Sequence, residues 1–189
     1  MLFRSTLRSR FLDLIRREAD HARAGRPSGI RAKFNQLQDP EIIEALCEAA
    51  QAGVPVVLNV RGFCCLRVGE PGISDGIRVY SVLGRFLEHS RIYRFENGGN
   101  PAHFIGSADW MKRNLNRRIE AITQVQDPGI CRELDGILDT HERDNASAWD
   151  MQPDGSYVRR RPKAGETPVR AQAEFMRRAL ESMGDGTAP

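Results

Sequence analysis

The sequence predicts an α/β fold, a β-sheet flanked by helices in a single domain, and three observations carry that reading. Helical and strand-like apolar patterns alternate along the 189 residues. VPVVLNV at 54–60 is a continuous apolar run, the pattern of a strand buried on both faces in a parallel sheet. Two Asp-Pro pairs, Asp39-Pro40 and Asp127-Pro128, each precede a helical pattern. Asp suits the N-cap, and Pro suits the first helical position because its missing N–H would be unpaired there anyway.

The elements follow in order. Residues 5–24 carry Leu7, Phe11, Leu14, Ile15 and Ala19 at helical spacing among charges, an amphipathic helix ending near Gly25. IRAKFNQL at 30–37 alternates as a strand, with Ile30, Ala32 and Phe34 on one face and Arg31, Lys33 and Asn35 on the other. That polar face is either a phosphate shelf or plain solvent exposure. A helix from Asp39 to about Ala52 stops at Gly53, and the apolar strand at 54–60 completes a strand, helix, strand unit. Further strands are expected at 77–82, 91–96, 102–107 and 118–125, with a second strong helix over 127–142. From Asp144 the chain turns polar and turn-rich and reads as an extended arm around a short strand at 156–160. A last helix over 167–183 precedes GDGTAP, which should fray. Residues 1–145 thus form the main body, and 146–189 a C-terminal arm and helix of the same domain.

Composition narrows the classes. The chain is 40% hydrophobic and 28% charged, as soluble proteins are. No apolar run reaches the roughly 20 residues of a membrane span, and the N-terminus lacks the apolar core and cleavage site of a signal peptide. These features argue for a cytoplasmic chain that is not an integral membrane protein. Cys47, Cys64, Cys65 and Cys131 show no paired spacing, so no zinc site or disulfide framework is expected, and they read as buried thiols. A net charge of +3 is too mild to imply nucleic acid. Of the 28 basic residues, Lys33, Lys112 and Lys163 are the only lysines, leaving 25 arginines. Arg forks suit phosphate oxygens, although a GC-rich genome produces the same bias.

His89 is the leading candidate for chemistry. It precedes the strand RIYRFE, where side chains at strand ends face a ligand crevice, and an imidazole exchanges protons near neutrality or attacks phosphorus. Arg61 closes the apolar strand and is followed by Gly62, which permits a close backbone approach. Arg61 either grips phosphate oxygens there or caps the sheet through a carboxylate such as Asp75 or Glu88. GSAD at 106–109 offers a small-residue turn whose N–H groups and Ser107 hydroxyl could hold an anion. Of Arg113, Asn114, Arg117 and Arg118, one or two could reach the same anion. Trp110 reads as a packing anchor, His21 and His141 as structural, and His103 stays open.

Spaced out, His89, Arg91, Glu96 and Gly106-Ser107-Ala108-Asp109 resemble a drifted phospholipase D motif, HxK(x)4D followed by GSxN. The longer words AKFNQLQDPEIIEAL, AGVPVVLNVRGFCCL, GRFLEHSRIYRFENGG and GSADWMKRN resemble the C-terminal catalytic domain of the long-chain polyphosphate kinases over nearly the whole chain. That resemblance implies a phospholipase D-like mixed sheet and reversible transfer of the terminal phosphate of ATP onto inorganic polyphosphate through a phosphohistidine. It places the family's nucleotide-binding arginine on Arg61 and its second catalytic histidine, an acid or base that also binds nucleotide phosphate, on His89. Glu96 falls at the motif's acid position, expected to orient His89 or Arg91, with Arg91, Ser107, Asp109 and Arg113 in support. The phosphoacceptor histidine and the groups associated with Mg2+ lie in other domains of that family. The resemblance therefore implies no metal ligands here, an oligomer, and either a fragment of a kinase or a separately encoded chain that carries the first catalytic domain. A binding module or truncated remnant, and a dimeric phosphodiesterase, are the alternatives; HxR for HxK and Asp109 for Asn weigh against the last.

Overall fold

The structure, a computed structural model, describes residues 7–184. The expected helix start at residue 5 and the tail beyond Gly184 lie outside those residues. One sheet of eight strands has the order β6-β5-β4-β1-β2-β3-β7-β8. Its centre is parallel, β1 (Ile30–Phe34) beside β2 (Val56–Val60) beside β3 (Ile77–Val82). Strands β4 (Ile92–Phe95), β5 (Ala102–Gly106) and β6 (Ile122–Val125) extend it antiparallel on the β1 side. Strands β7 (Ala148–Met151) and β8 (Tyr157–Arg159) do so beyond β3. The helix-flanked sheet expected from the pattern is observed, and it is mixed as the resemblance implied.

Helices α1 (Leu7–Arg23) and α2 (Pro40–Gln51) pack on the face that presents Ile30, Ala32 and Phe34. There Phe11, Phe34, Tyr93 and Trp110 form one aromatic cluster, with centroids from 4.7 to 5.8 Å apart, and Trp110 is the anchor expected. Asp39 caps α2 by accepting the Ile42 N–H at 3.3 Å, and Asp127 caps α4 (Pro128–Glu142) through Ile130 at 2.9 Å. Both Asp-Pro pairs mark helix starts because the cap is a contact between near neighbours.

The second face is covered by α4 and α5 (Ala171–Gly184) and is held largely by charge. Arg31 bonds Asp139 at 2.6 Å and Glu142 at 3.1 Å; Arg94 meets Asp135 at 2.8 Å. This layer corrects the expectation for the polar face of β1, which is neither open shelf nor solvent.

Other departures have local causes. Strand β7 lies in what read as an irregular arm. Asp144 builds it: its Oδ1 accepts the N–H groups of Ala146, Ser147 and Ala148, and its Oδ2 that of Ala171, where α5 begins. One buried carboxylate thus seats a strand edge and a helix start 27 residues apart. The strand predicted at 118–125 forms only over 122–125, because Lys112–Asn116 winds into a short helix, α3. No cysteine is fully buried: Cys65 is exposed and the rest are half-buried, though burial pushes the Cys64 thiol up to about 11. Among the described residues no helix is long and apolar enough to cross a membrane.

Candidate active site

The C-terminal ends of β1 and β2 and the segment entering β4 meet at one edge of the sheet. Because β4 runs antiparallel to β1, with Lys33 opposite Ile92, the residues just before β4 stand beside the end of β1. This register brings His89 to Arg61. Gly62 makes the edge compact: its N–H reaches the Asn35 carbonyl at 2.9 Å, and a Cβ there would sit 3.2 Å from that oxygen.

His89 lies exposed between two guanidinium groups. Arg91 Nη2 is 3.3 Å from its Nε2 and Arg61 Nη2 is 3.5 Å from its Nδ1. A neutral imidazole has one lone pair for two such donors. Whichever nitrogen accepts, the other presents its N–H beside a guanidinium group. Arg61 has no carboxylate partner among the described residues, and its Nη1 is buried without a hydrogen bond. Neither Asp75 nor Glu88 serves it: Asp75 accepts from Gly72 and Glu88 pairs with Lys33. Partial burial and then the charges of Arg91 and Arg61 hold the His89 pKa below 6.5. The ring is therefore mainly neutral at pH 7, and an anion bound beside it would raise its basicity again.

Arg91 is fixed from behind. Its Nε and Nη2 reach Asp109 at 3.0 and 3.2 Å, while its Nη1 donates to the His89 carbonyl at 2.7 Å. Asp109 is buried and also accepts the backbone N–H of Asn35 at 2.8 Å. Orientation of Arg91, expected from Glu96, is done by Asp109. Glu96 stands at the far end of β4, packed over Gly29 and bonded to Arg94 at 2.7 Å. Four residues of extended chain carry it to the opposite edge of the sheet.

The GSAD turn is used internally. Ser107 donates its hydroxyl to Glu120 and accepts the Ala121 N–H at 3.2 Å, and its own N–H goes to the Ala121 carbonyl. An anion there would meet the Glu120 carboxylate. Gly106 is required by strand pairing, since a Cβ would stand 2.1 Å from that carbonyl. Arg113 is exposed on α3, apart from the His89 contacts.

Lys33 and Gln172 also border the segment that carries His89. Lys33, 4% exposed, donates to Ser90 O at 3.0 Å and Oγ at 2.9 Å and pairs with Glu88 at 3.2 Å, gripping both sides of His89. Burial draws its ammonium below 10.5 even though Glu88 pulls the other way. Gln172 brackets Phe86, accepting its N–H and donating to its carbonyl, each at 2.8 Å. The strand alternation that placed Lys33 on the polar face was the available signal. Of the other histidines, His21 packs on Gly98, His103 is 2.9 Å from Asp135, and His141 is buried against Phe175.

Among the described residues no three His, Cys, Asp or Glu converge to hold a metal. The nearby carboxylates, Glu88 and Asp109, are engaged by Lys33 and Arg91, so this donor set does not fit Mg2+.

With this geometry in place, known proteins can be compared. The family described as Polyphosphate kinase C-terminal domain 2 matches residues 1–172. Polyphosphate kinase from Thermosynechococcus vestitus is 52% identical over 178 residues, covering 94% of this chain and 24% of that protein. The Pseudomonas aeruginosa polyphosphate kinase is 47% identical over 171 residues, covering 90% of this chain and 25% of the relative. A crystal structure of polyphosphate kinase from Porphyromonas gingivalis superposes with a TM-score of 0.89 at 40% identity, over 96% of this chain and 28% of that one. The chain thus spans about a quarter of the length of the relatives it matches.

Proposed function

The chain belongs to the polyphosphate kinase C-terminal domain 2 family, and we propose that it supplies half of the active site for reversible transfer of the ATP terminal phosphate to inorganic polyphosphate. The observation that carries this reading is the pairing of an exposed imidazole with an arginine that has no carboxylate partner among the described residues. Phosphoryl transfer depends on holding charge on the equatorial oxygens and aligning the attacking and leaving groups. Arg61 grips phosphate oxygens, and Arg91, locked by Asp109, sets the ring plane of His89. In the forward direction the bond from the terminal phosphorus to the ADP oxygen breaks as one to the phosphoacceptor histidine nitrogen forms, and that P–N bond then breaks as the end of the polyphosphate chain takes the phosphate. His89, neutral when free and more basic beside phosphate, donates a hydrogen bond or proton to the oxygen that gains charge. ATP and ADP are thus substrates, and no step is routed through a metal on these residues.

The phosphoacceptor histidine comes from outside these residues: His103 is tied to Asp135, His21 packs against Gly98, and His141 is buried near Lys33 and Glu88. Phe63, Leu83, Phe86 and Leu87 stand exposed near it in sequence, an apolar rim that the remainder of a longer kinase, on this or a separate chain, covers in a cytoplasmic oligomer. Polyphosphate synthesis from ATP by this chain, alone and mixed with the separately expressed N-terminal remainder of a relative, tests the proposal. Activity in the mixture that disappears in His89→Ala is expected. Equal activity with His89→Ala would sink the assignment.

A further inference from the structure

One strongly basic cavity stays outside the site just described. It is an open cleft of about 610 Å3 between the end of β1 and α3, lined by Lys112, Arg113 and Arg117, by the amides of Gln36, Gln38 and Asn116, and by Met111. No carboxylate and no aromatic ring lines it. Among the described residues none of the three cations has an ion-pair partner. Glu120, the one acidic residue between Asp109 and Asp127, is turned to Ser107 and Asn114. We infer that this cavity binds further phosphates of the inorganic polyphosphate whose reacting end lies at Arg61 and His89, an inference that rests on the function proposed above.

Three properties point to a phosphate chain. Cations unopposed by acids, set among neutral amide donors, suit a ligand whose every unit carries oxyanions. The absence of rings excludes the stacking platforms by which single-stranded nucleic acids are held, so the fitting polyanion is one without bases. The cavity also begins where the first site ends: Asn35, which holds Asp109, is followed by Gln36 in the lining. Gly62, which follows Arg61, lies over Asn35 and Gln36, and a Cβ there would be 3.9 Å from Gln36 Cγ.

Titration of the full chain with long-chain inorganic polyphosphate, tripolyphosphate and ATP separates the two regions. Arg113→Glu with Arg117→Glu is expected to weaken long-chain binding about tenfold or more and to leave ATP and tripolyphosphate within about twofold. Arg61→Ala weakens all three, and Arg132→Glu, an exposed charge reversal on α4, weakens none. The neutral pair Arg113→Gln with Arg117→Gln repeats the test should the reversed charges disturb folding. Long-chain binding unchanged in both double variants would overturn the inference and leave the proposed function standing. Wild-type protein that binds neither ATP nor polyphosphate would overturn both. A single-stranded oligonucleotide that loses affinity as much as polyphosphate would also overturn it, since the cavity would then not select a base-free chain.

Discussion

Two groups of arginines share this sheet and differ in charge balance. On the face covered by α4, Arg31 has Asp139 and Glu142, Arg78 has Glu142, and Arg94 has Glu96 and Asp135. At the edge where β1 and β2 end, Arg91 has Asp109 while Arg61 has no acid among the described residues. The first group cements a helix to a sheet; the second leaves positive charge facing open space. An arginine-rich composition therefore says little, and the missing carboxylate is what sets Arg61 apart from these other arginines.

The comparison can be broken at several points. Asp109 joins the site to the core, so Asp109→Ala, which strands the buried Arg91 and the Asn35 N–H, should cost about 3–5 kcal/mol in urea denaturation. A loss under 1 kcal/mol would remove Asp109 as the support. His141 provides a pH test on the covered face. Desolvation, then Lys33, lowers its pKa to about 4, with Glu88 and Asp144 opposing. Because the folded value lies below the unfolded one, the stabilisation is complete above pH 6.5 and is lost as pH falls toward 4, by roughly 3 kcal/mol. His141→Leu should flatten that part of the acid limb; an unchanged limb would show that His141 does not titrate there.

Arg61→Ala should weaken ATP binding about fiftyfold by calorimetry, the scale of a charge-assisted contact, while Arg31→Ala leaves it within twofold. Equal losses would erase the distinction between the groups. Lys33→Met should loosen the His89 segment and, by removing a nearby cation, move the His89 titration upward in NMR. Lys33→Arg should restore the wild-type value if charge at this position is what matters. The smallest effect is expected at Glu142→Gln: its partners Arg31 and Arg78 are part-exposed, so the loss should stay near 0.5 kcal/mol.

Local physics was legible in the sequence. The caps at Asp39 and Asp127, the amphipathic α1 and the apolar β2 are each decided within a few residues, and so is the Arg61-Gly62 step at a strand end. Spacing alone also put His89 at a crevice edge. What it could not assign was pairing across the fold. Glu96 looked like the acid for Arg91, yet four residues of strand point it to the other edge, and Asp109 arrives instead from beyond β5. Ser107 looked free for an anion until β6 brought Glu120 alongside. Lys33 looked solvent-facing until the β1–β4 register set the His89 segment above it. Strand β7 escaped notice because Asp144 organises it through N–H groups that no periodicity reveals. The chain by itself determined most of the helices and strands and which residue types stand at strand ends, because those follow from neighbouring residues. Only the tertiary structure decided which charges are neutralised, because ion pairing depends on strand register and helix placement between residues far apart in sequence.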